Sequence, residues 1–280
     1  MENKKLQKKL LSIILGVIGL VLVFFFGRWL SGVLYGGSGD SSSGQVNSGS
    51  EIQEVKAAMT EEEIAELFAG MRKSKYTEEE QENSDKPKGS DFIDFESLWE
   101  VNDDVYAWIT VPGTIIDYPI LQDDTDNTYY LNYNIDGTYG YPGCIYTENL
   151  NTKDFTDSNT VIYGHNMKNG TMFSDLHKYA SKDFFDEYNE VIIYMPDQIL
   201  YYDIFAAYVY DDRHILYSFD FTDVNIYADY LEDIYDIRDM SANINREFTV
   251  SSDDKIITLA TCIANQDDKR FLVQAVLREE

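Results

Sequence analysis

Three residue types are scarce in this 280-residue chain, and each scarcity removes a class of explanation. There are two cysteines, Cys144 and Cys262, and no C-x-x-C, so neither a dithiol redox motif nor a zinc knuckle is present. There are three histidines, His165, His177 and His214, with no H-E-x-x-H and no zinc-like spacing, which predicts that no metal is required. The acidic run "DDTDN" at 123–127 only partly resembles a calcium loop, and no cofactor motif is found. Basic residues number 22 against 50 acidic ones, a net charge of -28, which excludes nucleic acid as a partner because phosphate binding needs a basic face.

The charge is unevenly spread. Residues 1–30 hold Lys4, Lys5, Lys8, Lys9 and Arg28 against Glu2, a net of +4, and the other 250 residues carry -32. The stretch Leu10 to Gly27 is 18 residues without a charge, long enough with its flank to cross a hydrocarbon core of roughly 30 Å. The lysines before it predict a cytoplasmic tail at 1–9, a single-pass anchor at 10–30 and everything later outside the cell, with the protein localised to the cell membrane. A cleaved signal peptide would have a shorter apolar core and a small-residue cleavage site, and "RWLSGVLYGG" offers none. Residues 31–58 include "GGSGDSSSGQVNSGS", a flexible linker. Residues 59–90 form a helical and charged extension. Within it Thr60 and Glu63 make a capping box, and Ile64, Leu67 and Phe68 mark the apolar stripe of a helix over 60–74.

From residue 91 to 280 the pattern is mainly β with helical insertions. Strand-like runs such as "YAWITV", "NTVIYGH", "REFTVS" and "KIITLATC" alternate with polar turns, which suggests a barrel or a sandwich. One helical insertion is "GTMFSDLHKYASKDFFDEY". In the other, "FTDVNIYADYLEDIYDIRDM", Ile226, Tyr230 and Ile234 recur at helical spacing.

Cys262 closes the strand "KIITLATC", and Arg270 opens the next one. Antiparallel strands joined by the seven residues 263–269 bring these two side chains together at the mouth of a barrel. His165 ends "NTVIYGH", where a strand breaks into a loop, and is placed to face a cleft. His177 and His214 read as surface residues. A cysteine nucleophile needs a base or a lowered pKa, which a histidine supplies. Arginine stays protonated and can stabilise an oxyanion. Cys, His and Arg together read as acyl transfer through a thioester. Two other readings remain open for Cys262: a small buried hydrophobe, and half of a Cys144–Cys262 disulfide in a non-catalytic β-domain. An L,D-transpeptidase is a further rival, but its S-H-G-C block is missing.

Three ordered blocks resemble a known family. "TLATC" with Arg270 downstream, "VIYGHNMKNGTMFSDLHKY", and "VNDDVYAWITVPGTIIDYPILQDDTDNTYYL" are similar to the blocks of class B sortases, membrane-anchored cysteine transpeptidases of Gram-positive bacteria. The resemblance implies an eight-stranded sortase β-barrel with N-terminal helices and a long helix before the cysteine strand. It implies Cys262 as nucleophile, His165 as general acid and base, and Arg270 as oxyanion stabiliser. It places Asn127, Leu131, Tyr163, Ala260 and Thr261 at substrate-binding positions. The implied partners are surface proteins bearing a C-terminal sorting signal, with an amine of a peptidoglycan precursor (lipid II) or of a pilin as acceptor. The family often has serine at the position of Ala260 and a polar residue at that of Ile263, departures that bear on which peptide is cut rather than on how it is cut.

Overall fold

Successive side chains along a strand point to opposite faces, which divides those of the nine strands between the inside of a barrel and its outer wall. The computed structural model describes residues 59–73 and 87–278. Its strands are β1 (Val105–Thr110), β2 (Asp117–Leu121), β3 (Ile145–Thr147), β4 (Asn159–Tyr163), β5 (Glu190–Tyr194), β6 (Ile199–Asp211), β7 (Asn243–Ile244), β8 (Ile256–Ile263) and β9 (Gln266–Leu277). They join in the order β5-β1-β2-β3-β4-β8-β9-β6-β7, and β5 also pairs with β6. Eight strands therefore close on themselves, and β7 is a two-residue addition beside β6. Closure leaves those eight strands without a free edge. The β2–β3 and β4–β8 pairs are parallel, and the rest are antiparallel. This is the expected mainly β fold with helical insertions.

One apolar cluster draws residues from all eight barrel strands, including Ile109, Ile120, Ile145, Ile162, Ile193 and Leu259, so it is the barrel interior. Full burial of each such side chain contributes about 1.5–3 kcal/mol. The opposite face of β4, β6, β8 and β9 is the outer wall. Val161, Ala206, Tyr208, Ala260 and Leu272 there pack beneath a long helix, α6 (Val224–Asp236). Tyr227, Tyr230, Leu231 and Ile234 make its buried stripe. Ile226, expected in that stripe, is instead exposed, because the i, i+3, i+4, i+7 set that meets the wall starts one residue later.

The N-terminal helices cover a second part of the outer wall. Helix α1 (Glu61–Met71) begins at the expected capping box: the Thr60 hydroxyl accepts from the Glu63 amide at 3.2 Å, and the Glu63 carboxylate accepts from the Thr60 amide at 2.8 Å. Helix α2 (Phe95–Val101) buries Phe95 and Leu98 beside Trp108 of β1. The remaining helices are short: α3 (Tyr129–Asn132), α4 (Lys182–Glu187), preceded by a 3-10 segment Ser174–Ala180, and α5 (Ile215–Ser218).

Three expectations change. The run 246–251, "REFTVS", forms no strand, and the pairing beside β6 is made by Asn243–Ile244 instead. The connection between Cys262 and Arg270 is no open loop. β8 and β9 continue past both residues, and Ala264 and Asn265 turn the hairpin, Asn265 at φ +62°. The cell-membrane localisation is also corrected: no helix among the described residues is long and apolar enough to cross a membrane. The longest, α6, has 13 residues and spans about 20 Å, short of a roughly 30 Å hydrocarbon core, and one of its faces is polar. The tail, anchor and linker read at 1–58 and the charged break at 74–86 lie outside the described residues.

Candidate active site

Cys262 occupies the last regular rung of the β8–β9 ladder. Its partner there is Arg270, and Arg270 in turn faces Tyr210 on β6. Residues directly opposite in an antiparallel pair share a face, so Cys262, Arg270 and Tyr210 form a row across three strands. Ala260, two residues before Cys262, belongs to the cluster under α6, which puts the row on the outer wall. The cysteine thus stands outside the barrel at a strand end and not in the barrel's mouth. Beyond it the register breaks, since Ile263 pairs with Gln266. Asp267 to Lys269 bulge, and Arg270 Nη1 donates to the carbonyls of Asp267 at 2.9 Å and Lys269 at 2.8 Å. The other guanidinium N–H groups remain for a ligand.

His165 comes from the neighbouring strand. β4 runs parallel to β8 with Tyr163 beside Ala260, so the two chains leave the sheet together, one toward His165 and the other toward Cys262. The turn is fastened: the Gly164 amide donates to the Ala260 carbonyl at 3.2 Å, and the Thr261 hydroxyl donates to the Gly164 carbonyl at 2.8 Å. Gly164 has no room for a side chain, because a Cβ there would lie 2.5 Å from the Ile145 side chain and 2.7 Å from that of Phe173. His165 Nε2 lies 2.8 Å from the Leu131 carbonyl. A carbonyl only accepts, so Nε2 carries the proton and Nδ1 is the basic nitrogen of the neutral ring. The Tyr141 ring meets the imidazole edge-on at 5.3 Å.

His165, Cys262 and Arg270 line one cleft of about 280 Å³, along with Leu131, Tyr163, Ala260 and Thr261. Cys262 is exposed and Cys144 is buried, and both thiols are free. Burial pushes the Cys144 thiol well above its usual range. Thr261 is 2% exposed, with its hydroxyl held by Gly164. Tyr163 stacks on Tyr146 at 5.4 Å. Asn127 is not among the lining residues, and its side-chain oxygen accepts from the Asn149 amide at 2.8 Å. Among the described residues no cluster of His, Cys, Asp or Glu is arranged to hold a metal ion.

Four contributors were missed in the sequence. Glu148 and His214 also line the cleft, and His214 Nε2 donates to Glu148 Oε1 at 2.9 Å. Burial pushes the Glu148 carboxyl above the usual range, and the His214 hydrogen bond and charge pull it back part of the way. His177, read as a surface residue, lies with its Nε2 3.1 Å from the Cys262 carbonyl, to which Asn166 Nδ2 also donates at 3.0 Å. Asn166 had a signal in its place beside His165. The other three sit at sequence separations that no local pattern reveals.

Known proteins bear on this arrangement. A family model described as the sortase domain matches residues 109–278. Sortase B of Listeria monocytogenes is 37% identical over 183 residues, covering 64% of this chain and 72% of that protein. The structure of Clostridium perfringens sortase B superposes with a TM-score of 0.59 at 29% identity, covering 66% of this chain and 100% of that one. A Staphylococcus aureus sortase B–substrate complex gives a TM-score of 0.61 at 25% identity, covering 78% of this chain and 94% of that one.

Proposed function

This chain belongs to the sortase family, in its class B, and is a cysteine transpeptidase acting on sorting-signal substrates; we propose that its chemistry runs through Cys262, His165 and Arg270. One observation carries the assignment. The exposed free thiol of Cys262 lies directly opposite Arg270 in the ladder and shares its cleft with His165. The rival reading, a non-catalytic domain with a Cys144–Cys262 disulfide, is not favoured, since both thiols are free.

The reaction follows from the groups present. The Cys262 thiol gives its proton to the bare Nδ1 of His165, the thiolate so formed attacks the scissile carbonyl carbon of the bound peptide, and the carbonyl π pair moves onto oxygen. The N–H groups of Arg270 not tied to the hairpin carbonyls stabilise that oxyanion. The tetrahedral adduct collapses, the C–N bond breaks, and the leaving amine takes the proton from His165 Nδ1. His165 Nε2 stays on the Leu131 carbonyl throughout, so one nitrogen is anchored and the other works. An incoming amine then attacks the thioester and yields its proton to His165, and the thiolate leaves. We assign the acceptor to an amine of a peptidoglycan precursor or of a pilin, and the first substrate to a surface protein's sorting signal. Tyr163, Ala260, Thr261 and Leu131 line the cleft and are assigned to the peptide groove. Asn127 retains its assignment to that groove from the family pattern alone.

The test is a peptide-library cleavage assay with and without an added amine, followed by mass spectrometry of the enzyme. Wild-type enzyme should form a thioester on Cys262 that Cys262→Ala lacks, and the amine should raise turnover. Cleavage by Cys262→Ala at the wild-type rate would overturn the assignment.

A further inference from the structure

The backbone carbonyl of Cys262 sits where β8 leaves its ladder, because the register shifts between Cys262 and Ile263. A carbonyl at such a break needs partners from elsewhere. It finds two side chains. Asn166 Nδ2 donates to it at 3.0 Å, and His177 Nε2 lies 3.1 Å from it. Asn166 Nδ2 and His177 Nε2 are themselves 3.1 Å apart. If His177 carries its proton on Nε2, the carbonyl receives two donors. If Nε2 is bare, it accepts the second hydrogen of Asn166, which holds the amide in line with the carbonyl. In both forms Asn166 is kept aimed at Cys262.

Each clamp residue is itself held. The Phe173 amide donates to the His165 carbonyl at 2.9 Å, and Asn166 forms a bridge with Met172, closing the loop that carries both residues. His177 belongs to the 3-10 segment Ser174–Ala180, and its ring packs 5.0 Å from that of Phe271, the neighbour of Arg270. Gly164 and Asn166 flank His165, and each bonds to β8: Gly164 to Ala260 and Thr261, Asn166 to Cys262.

We propose that Asn166 and His177 form a clamp on the Cys262 carbonyl that fixes the separation and angle between the nucleophile and His165. They are positioning residues, and neither is required to touch substrate. The proposal rests on the assignment of Cys262 and His165 above. Its physical basis is that misplacing a reacting pair by about 1 Å costs on the order of 100-fold in rate.

The experiment uses the full chain with the peptide pool that the wild type cleaves, reading kcat, KM and thermal midpoint together. Asn166→Ala should lower kcat about 10- to 100-fold with KM unchanged within about twofold, because proximity between enzyme groups acts on the bound complex. Asn166→Asp has the same shape but presents acceptor oxygens to a carbonyl, so it should lose at least as much. His177→Phe keeps the ring against Phe271 and removes the polar nitrogen, and kcat should fall. His177→Gln restores a polar group and should recover most of that loss. The thermal midpoint should stay near wild type in Asn166→Asp and His177→Phe. Wild-type kcat in Asn166→Asp, or a loss that appears only in KM or the thermal midpoint, would overturn the clamp. Cys262→Ala, run alongside, separates the two claims: if it is inactive while Asn166→Asp is unimpaired, the clamp fails and the nucleophile stands. Turnover by Cys262→Ala would overturn both.

Discussion

His214 donates to Glu148 at 2.9 Å across the wall of the cleft that holds Cys262, joining residues 66 apart in sequence. Glu148 is 7% exposed, and its carboxyl is pushed up chiefly by burial. A carboxyl raised in the folded state makes the protein less stable as pH climbs from the unfolded value through the folded one, because the ionised form is the one penalised. Glu148→Gln removes that ionisation. Its stability relative to wild type should therefore increase as pH rises above about 4.3. Urea melts at a series of pH values check this, and a difference that stays flat or runs the other way rejects it.

The two thiols should behave as different chemical groups. Cys262 is exposed, whereas Cys144 is buried and its thiol is pushed well up. A small alkylating reagent should label one thiol per native chain, at Cys262, and two after denaturation. Cys144→Ser should retain turnover. Labelling of Cys144 in the native protein, seen by peptide mapping, would contradict the burial.

Arg270 does more than carry charge. Its Nη1 closes the bulged hairpin through two carbonyls while the rest of the fork points elsewhere. Lysine cannot divide its donors in that way. Arg270→Ala should lower kcat by about 100- to 1000-fold, the scale of a lost oxyanion donor, and Arg270→Lys should recover little of it. Steady-state kinetics on a cleaved peptide decide, and full recovery by lysine would rule out a need for the fork.

Gly164 offers a test of the turn that aims His165. A methyl there would meet Ile145 at 2.5 Å and Phe173 at 2.7 Å. Gly164→Ala should cost about 1–3 kcal/mol of stability through overpacking. It should also reduce turnover, because the displaced backbone carries the histidine. Calorimetry and kinetics on the same sample would show both effects, and unchanged values in both would mean the turn absorbs the methyl.

What was legible in the sequence follows from the range of the interactions. Cys262 and Arg270 are joined by a single hairpin, so their approach could be read from strand ends alone. The capping box at Thr60 and Glu63 and the helix behind it are likewise local. The side of the wall on which Cys262 stands was not legible, since it depends on which alternate residues face the barrel interior, and both faces of β8 are apolar. His177 and His214 looked like surface residues because each has polar neighbours in sequence. Their partners, Cys262 and Glu148, lie 85 and 66 residues away in sequence. The stripe of α6 slipped by one residue because tyrosine at 227 serves the core as well as isoleucine at 226 would.

The last two strands of the chain's barrel carry the proposed nucleophile and its arginine. β8 and β9 insert between β4 and β6, both made much earlier in the chain. Until they arrive, β4 and β6 present unpaired edges, and His165 has neither a thiol nor an arginine to work with. The two strands that complete the closed sheet thus also carry Cys262 and Arg270, two of the three proposed catalytic groups. A chain lacking them would lack the proposed nucleophile and would leave the edges of β4 and β6 open to edge-to-edge pairing.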